Sequence, residues 1–185
     1  MKKLLAGIVL CTATTFFVAC GSDKDSKDVA KEENNQKFDS TNIEGDTKFA
    51  VNLADGSMLE VEASNLALKN ASARNVKDFA TMMVTDHTAA NNELKDAAGK
   101  KNISLPIGLS EAKQKKYTDL AAKKGADFDK GYIDLMVDEH KDALDALQKE
   151  AEKGNDADLR NWAAGKLATI QHHYDVIKAI KDAKK

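Results

Sequence analysis

Apolar residues recur every three or four positions over most of the chain beyond residue 46, which is the spacing of one face of an α-helix. The single proline, Pro106, and the scarcity of alternating β-branched runs disfavour a sheet. The sequence therefore predicts an all-α domain. Its four long helices are expected over residues 46–71, 75–100, 127–153 and 156 to the C-terminal lysines, with a shorter helix over 110–125.

The connections between these helices predict how they pack. Short links join the first two long helices and the last two, so each pair is expected to form an antiparallel hairpin. The long segment between the hairpins contains the short helix, for which Ser110 is the expected N-cap, and acts as a crossover. We expect a ferritin-like four-helix bundle, with a break or kink in the first helix at Asp55-Gly56.

Three histidines replace apolar residues on the faces that should point into the bundle: His87, His140 and His173. The first long helix has no histidine, but Glu62 lies between Leu59 and Leu66 and is the expected inward polar residue there. From the rise of about 1.5 Å per residue, all four side chains should lie in the middle third of the bundle. Because buried polar groups need partners, we predict a polar centre there.

Two main interpretations of this polar centre stay open at the level of sequence, beside the binding of another small ligand and a pH-responsive loosening of the bundle by its grouped imidazoles. Three imidazoles and a carboxylate form a reasonable site for one zinc, copper or iron ion. The same groups could instead form a hydrogen-bonded network that only stabilises the bundle. A di-iron oxidase is disfavoured because the Glu-x-x-His pairs of that class are absent: Val84, Val137 and Ile170 stand three residues before the histidines. No catalytic residues and no organic cofactor are predicted.

Two acidic residues directly precede histidines. Asp86 and Glu139 point about 100° away from the histidine that follows each of them, so they are poor direct ligands. They could accept hydrogen bonds from imidazoles on a neighbouring helix, in the second layer around an ion.

The N-terminus has the pattern of an export signal. Lys2 and Lys3 precede an apolar run over residues 4–18 that is too short to span a bilayer. The tetrapeptide ending at Cys20 resembles the lipobox of bacterial lipoproteins, in which that cysteine is lipidated. We therefore expect a signal peptide over residues 1–19, a lipidated flexible tether over 20–45 and a folded domain over 46–185. Several acyl chains on Cys20 would hold the protein at a membrane surface, and the glycine after it resembles the pattern of outer-membrane lipoproteins.

Composition and charge limit the classes of partner that the protein could bind. The formal net charge is −2 and acids are interspersed with the lysines, so no basic stripe suggests nucleic-acid binding. With Cys11 removed and Cys20 acylated, the mature chain would have neither a free thiol nor a disulfide. No protein partner can be predicted.

Several motifs together resemble a family of bacterial secreted proteins known as domain of unknown function 4142, assigned to the ferritin-like clan. The resemblance covers residues 46–181, and its motifs are Leu59-Glu60-Val61-Glu62, Val76-Lys77-Asp78-Phe79-Ala80, Met82 to His87, Gly125 to Asp129, Met136 to His140, Leu159-Arg160, Ile170 and His173.

The resemblance implies inward positions for Glu62, His87, His140 and His173, and it brings no established activity. His172 is an additional histidine, which we assign with Asp86 and Glu139 to the second layer. The sequence thus predicts an envelope lipoprotein that handles metal or responds to stress. The alternative is a non-catalytic structural or interaction module.

Overall fold

A computed structural model describes residues 24–183, which fold into six helices. These are α1 (Ser26–Phe38), α2 (Glu44–Asn70), α3 (Arg74–Lys100), α4 (Glu111–Ala121), α5 (Gly125–Lys153) and α6 (Ala157–Asp182). The expected signal peptide and Cys20 lie outside the described residues. Within residues 24–183, no helix combines the length and the apolar character that a membrane span requires.

The four long helices form the predicted all-helical bundle. Around the bundle α2 contacts α3, α3 contacts α6, α6 contacts α5, and α5 contacts α2. Residues 71–73 join α2 to α3 and residues 154–156 join α5 to α6, so each hairpin has a short link, as predicted. Residues 101–124 connect α3 to α5 and contain α4, whose N-cap is Ser110 as expected.

The expected break at Asp55-Gly56 was wrong, because α2 runs through both residues. Gly56 faces α5, where a Cβ atom at this position would lie 3.6 Å from Glu139 Oε2. Asp55 is buried and accepts hydrogen bonds from the backbone N–H and the hydroxyl of Ser110, both at 2.9 Å. The polar residue and the glycine therefore serve contacts with the crossover and α5 within a continuous helix.

The expectation of a flexible tether over residues 20–45 requires a correction, because residues 26–38 form helix α1 and pack against α2. Polar contacts attach this helix to the bundle. Asn34 exchanges two hydrogen bonds with the backbone of Ser104, at 2.7 and 2.8 Å, and Lys27 forms an ion pair with buried Asp55 at 3.0 Å. The low content of apolar residues did not reveal this docking, because it depends on hydrogen bonds to distant parts of the chain.

Two apolar clusters fill the bundle, one toward each end. One cluster contains Ala63 and Ala67 of α2, Phe79 and Met83 of α3, and residues of α5 and α6 such as Met136 and Ile177. The other contains Phe49, Ala54, Leu94, Leu147, Leu159 and Ile170. On every long helix, the residues between the two clusters lie at mid-length. This middle layer is where the buried polar residues meet.

Candidate metal centre

The structure brings together three of the four residues predicted to form the polar centre. His87 of α3, His140 of α5 and His173 of α6 are at most 3% exposed. Each offers a nitrogen atom, and these three atoms lie within 4.8 Å of one another. Since each histidine stands between two apolar clusters on its own helix, helix periodicity alone carries it into the centre of the bundle.

The fourth predicted residue is not part of this centre. Glu62 is exposed, and Glu60 is the buried carboxylate of α2. Glu60 Oε2 lies 2.9 Å from His87 Nδ1 and Glu60 Oε1 lies 3.3 Å from His140 Nδ1. The placement of Glu62 therefore requires a correction: two residues along a helix is a rotation of about 200°, which carries the side chain to the opposite face.

Small residues could have identified the correct face of α2. One buried stripe of α2 recurs every three or four residues and consists of small side chains: Ala50, Ala54, Ser57, Ser64 and Ala67. Glu60 falls on this stripe, three residues after Ser57. Sequence reasoning followed Leu59 and Leu66 instead, and it also missed Ser57, whose hydroxyl lies 3.0 Å from His87 Nδ1.

Each imidazole has one nitrogen held by an acceptor on the outside of the cluster. His87 Nδ1 lies against Glu60, His140 Nδ1 donates to the carbonyl oxygen of Met136 at 2.8 Å, and His173 Nε2 donates to Asp86 Oδ2 at 2.9 Å. Carboxylates and carbonyl groups can only accept hydrogen bonds, so these three ring nitrogens carry the protons. The arrangement matches the second layer of protein metal sites, where an acceptor fixes the tautomer of each ligating histidine.

The remaining nitrogen of each ring faces the cluster. His87 Nε2 and His173 Nδ1 lie 3.3 Å apart, and His140 Nε2 is buried with no hydrogen-bond partner. Two imidazole lone pairs at this distance repel each other unless a positive group lies between them. A proton can serve one pair of nitrogens, whereas a metal ion can serve all three. Nitrogens bound to one tetrahedral ion at about 2.0–2.1 Å are themselves about 3.3 Å apart.

The electrostatics of the centre favour an ionised carboxylate beside mostly neutral imidazoles. Burial raises the pKa of Glu60, but the neighbouring His87 and His140 outweigh this and lower it to about 2. Burial lowers the pKa of His140, and it lowers that of His173 to about 4 even though Asp86 opposes the shift. Burial acts on His87 in the same sense, but Glu60 outweighs it and raises the pKa of His87. At pH 7, therefore, His140 and His173 are in the neutral form that binds metals.

The residues predicted for the second layer have three different positions. Asp86 accepts a hydrogen bond from His173 on the neighbouring helix α6. Glu139 is buried, but its carboxylate accepts from Lys113 and Lys116 of α4 instead of from an imidazole, so its predicted role requires a correction. His172 is exposed and points away from the centre. Helix geometry explains the positions of Glu139 and His172. A residue next to an inward histidine points about 100° away from it and therefore faces a different neighbour.

The fold and this centre define a four-helix bundle with a cluster of buried histidines at mid-length. The chain belongs to the family described as "Domain of unknown function (DUF4142)", whose model matches residues 30–180. The family resemblance seen in the sequence is thereby confirmed. No curated protein shows significant similarity to the sequence.

One solved structure shares the architecture. It is described as "CopM in the Cu(II)-bound form", and the match has a TM-score of 0.64 over 76% of this chain and 97% of that chain. The two sequences are 14% identical. At this identity the similarity establishes the fold of the bundle and says nothing about which residues bind an ion in this chain.

Proposed function

We propose that this protein binds one divalent transition-metal ion through the inward nitrogens of His87, His140 and His173. The observation that carries the proposal is the buried, unpartnered Nε2 of His140, which faces two further imidazole nitrogens. A buried acceptor without a partner costs about 1–3 kcal/mol, and a cation would satisfy all three nitrogens at once. Imidazole suits zinc, copper and iron, and three protein ligands leave one coordination position open.

The charges around the cluster support a divalent ion. Three neutral imidazoles bring no charge, whereas Glu60 and Asp86 each bring one negative charge to the outer nitrogens. A dication would therefore be balanced locally, which a buried charge requires. Copper belongs among the ions to test, because the related bundle is described as holding Cu(II).

Metal retention by paired histidine variants tests the proposal. After loading with Zn(II) or Cu(II) and gel filtration, elemental analysis should find about one ion per wild-type chain. His173→Ala should reduce this to near zero because it removes one of three ligands. His172→Ala is the matched control: the same substitution one residue away on the exposed face should leave the ion bound. Retention near zero in the wild type, or equal loss in both variants, would contradict the proposal.

A metal-free network is the second candidate, and the contacts of His87 favour it. If His87 is doubly protonated, it donates from Nδ1 toward Glu60 and from Nε2 toward His173, which resolves the close approach of their nitrogens. In that case the centre only stabilises the bundle, in a structural or interaction protein. The melting temperature should then be the same with and without a strong chelator, whereas metal binding predicts a fall on chelation.

We further propose that the protein acts in the bacterial envelope, as a lipoprotein in metal handling or stress response. The support is the basic start, the apolar run and the lipobox-like tetrapeptide ending at Cys20. Labelled palmitate supplied to cells that express the full chain should be incorporated into the protein, and Cys20→Ser should abolish the incorporation. Equal labelling of both proteins, or of neither, would contradict lipidation at this residue.

A further inference from the structure

The three imidazoles are enclosed, so an ion needs a path to reach them. Two cavities approach the centre, and both have Ser57 and Glu60 in their walls. One lies between α2, α4 and α5, and the other lies among the four long helices and also has His87 in its wall. We call them the polar cavity, of about 190 Å³, and the apolar cavity, of about 30 Å³. They differ in which groups could replace the water around an entering cation.

The apolar cavity offers little to a hydrated ion. Its walls include His87 and Asn91 but are otherwise largely apolar, with Leu94, Leu147 and Trp162 among them, and its volume leaves room for very few water molecules. A cation that passed through it would lose most of its hydration with few oxygen ligands to replace the water, which is costly.

The polar cavity offers oxygen ligands along its length. Asp142 is exposed at its rim, Asn52 lies in its wall, and the carboxylate of Glu60 is reached at the buried end. The lysines beside it do not repel a cation strongly, because Lys27 is paired with Asp55 and Lys113 with Glu139. Carboxylate oxygens can therefore replace the water ligands of the entering ion one at a time.

Glu60 connects this cavity to the imidazoles. Its Oε1 atom is buried and has no hydrogen-bond partner, although the carboxylate contacts His87 and His140. A buried, unpartnered oxygen in the wall of a polar cavity is placed to hold an arriving cation before nitrogen ligands do.

We infer that the polar cavity is the access path for the metal ion and that Glu60 is its first buried ligand on the way to the three histidines. This inference rests on the proposed function. It assigns the cavity a kinetic role: changes at its rim should alter the rates of metal binding and release while leaving the equilibrium affinity unchanged.

Stopped-flow measurements with Zn(II) or Cu(II) alone test this role in paired variants. Ala146 lines the polar cavity and not the apolar one, and Ala90 lines the apolar cavity and not the polar one. Ala146→Leu should slow association and dissociation together, by about tenfold, with an unchanged Kd. Ala90→Leu should leave both rates at the wild-type values, as the control for an added bulky side chain.

A second pair tests the charge at the rim. Asp142→Asn should lower the association rate about two- to fivefold at low salt, and the difference should shrink as ionic strength rises. Asp145→Asn removes an exposed aspartate from the same helix outside the cavity and should have a smaller effect. This pair keeps the test informative even if Ala146→Leu does not fold.

The outcomes separate the two proposals. A wild-type chain that binds neither ion overturns the proposed function itself. A wild-type chain that binds an ion, with Asp142→Asn no slower than Asp145→Asn, or with Ala90→Leu slowed and Ala146→Leu not, overturns the access path and leaves the metal centre standing.

Discussion

In two buried polar clusters of this bundle, the pKa of a glutamate is shifted in opposite directions. At mid-length, Glu60 has imidazoles around it, and its pKa falls to about 2. At one end, Glu150 of α5 lies against Asp46 of α2, and burial together with this second carboxyl raises the pKa of Glu150 to about 8. The comparison shows that burial alone does not decide the charge of an acid, because the sign of its neighbours does.

The end cluster has a structural explanation. Asp46 Oδ1 accepts hydrogen bonds from the backbone N–H groups of Asn155 and Asp156, at 2.7 and 3.2 Å, and so fixes the link before α6. Asp46 Oδ2 and Glu150 Oε1 are buried without a donor. A proton on Glu150 supplies the missing donor, so this pair holds a proton where the central cluster is arranged for a metal ion.

Replacing the glutamate by glutamine should therefore change the free energy of unfolding in opposite directions at the two clusters. The larger change is expected at the central cluster. Glu60→Gln removes the negative charge beside His87 and should lower the free energy of unfolding of the metal-free chain by about 2–4 kcal/mol at pH 7. Urea denaturation measures this change. Glu62→Gln is the control on the exposed face and should change stability by less than about 0.5 kcal/mol. Equal effects of the two variants would contradict the assignment of Glu60.

Glu150→Gln should stabilise the protein at alkaline pH, by about 1–3 kcal/mol at pH 9. The pKa of Glu150 is about 8 in the folded state, above its ordinary 4.5. The stability contributed by its proton is thus fully present below pH 4.5 and is lost as the pH rises through about 8. A glutamine keeps a neutral donor at every pH, so the gain should be small at pH 5.

Urea denaturation of both proteins between pH 5 and pH 9 checks this sign. The difference between wild type and Glu150→Gln should grow across the range, whereas exposed Glu152→Gln should follow the wild-type curve. A constant difference would mean that Glu150 is ionised throughout the range.

A smaller effect of substitution is expected at an acidic residue that only accepts a hydrogen bond from one of the three histidines. Asp86 orients His173, and its side chain is 40% exposed. Asp86→Asn should weaken metal affinity about tenfold and leave the stability of the metal-free chain nearly unchanged. Competition with a chelator of known affinity measures the former and urea denaturation the latter. A large loss of stability with unchanged affinity would assign Asp86 a structural role instead.

The smallest effect is expected at Asp46. Asp46→Asn keeps the oxygen that accepts from Asn155 and Asp156 and removes only the charge of Asp46, beside a Glu150 that carries a proton at neutral pH, so stability should change by less than about 0.5 kcal/mol. Asp46→Ala removes that oxygen as well and should cost about 1–2 kcal/mol. Thermal unfolding of the two variants separates the hydrogen bonds from the charge. Equal losses in both would show that the charge of Asp46 is needed.

Large apolar residues decided which buried positions could be predicted from the sequence. His87, His140 and His173 were placed correctly because each stands on a helix whose large apolar residues mark the inner face. Glu60 was missed because the stripe of α2 on which it lies is marked by alanine and serine, and because Glu62 stands within the same helical turn. On a helix with few large residues, a local pattern leaves the rotation ambiguous by half a turn.

Contacts between distant residues were beyond such reasoning. Helix α1 docks through Asn34 and Ser104, which are 70 residues apart, and Glu150 meets Asp46 only after the bundle has formed. Neither pairing follows from helix periodicity, because both depend on which helix ends lie side by side. The bundle itself was predictable, since loop lengths and helix faces are local properties of the sequence.

In the proposed function, three imidazoles hold one ion at the middle of the bundle. Anomalous diffraction from a crystal of the Zn(II)-loaded chain tests it most directly. We expect one strong peak, about 2.0–2.1 Å from one nitrogen each of His87, His140 and His173, with Glu60 in contact with imidazoles and not with the ion. A centre without an anomalous peak, or an ion bound by surface carboxylates and His172, would contradict it.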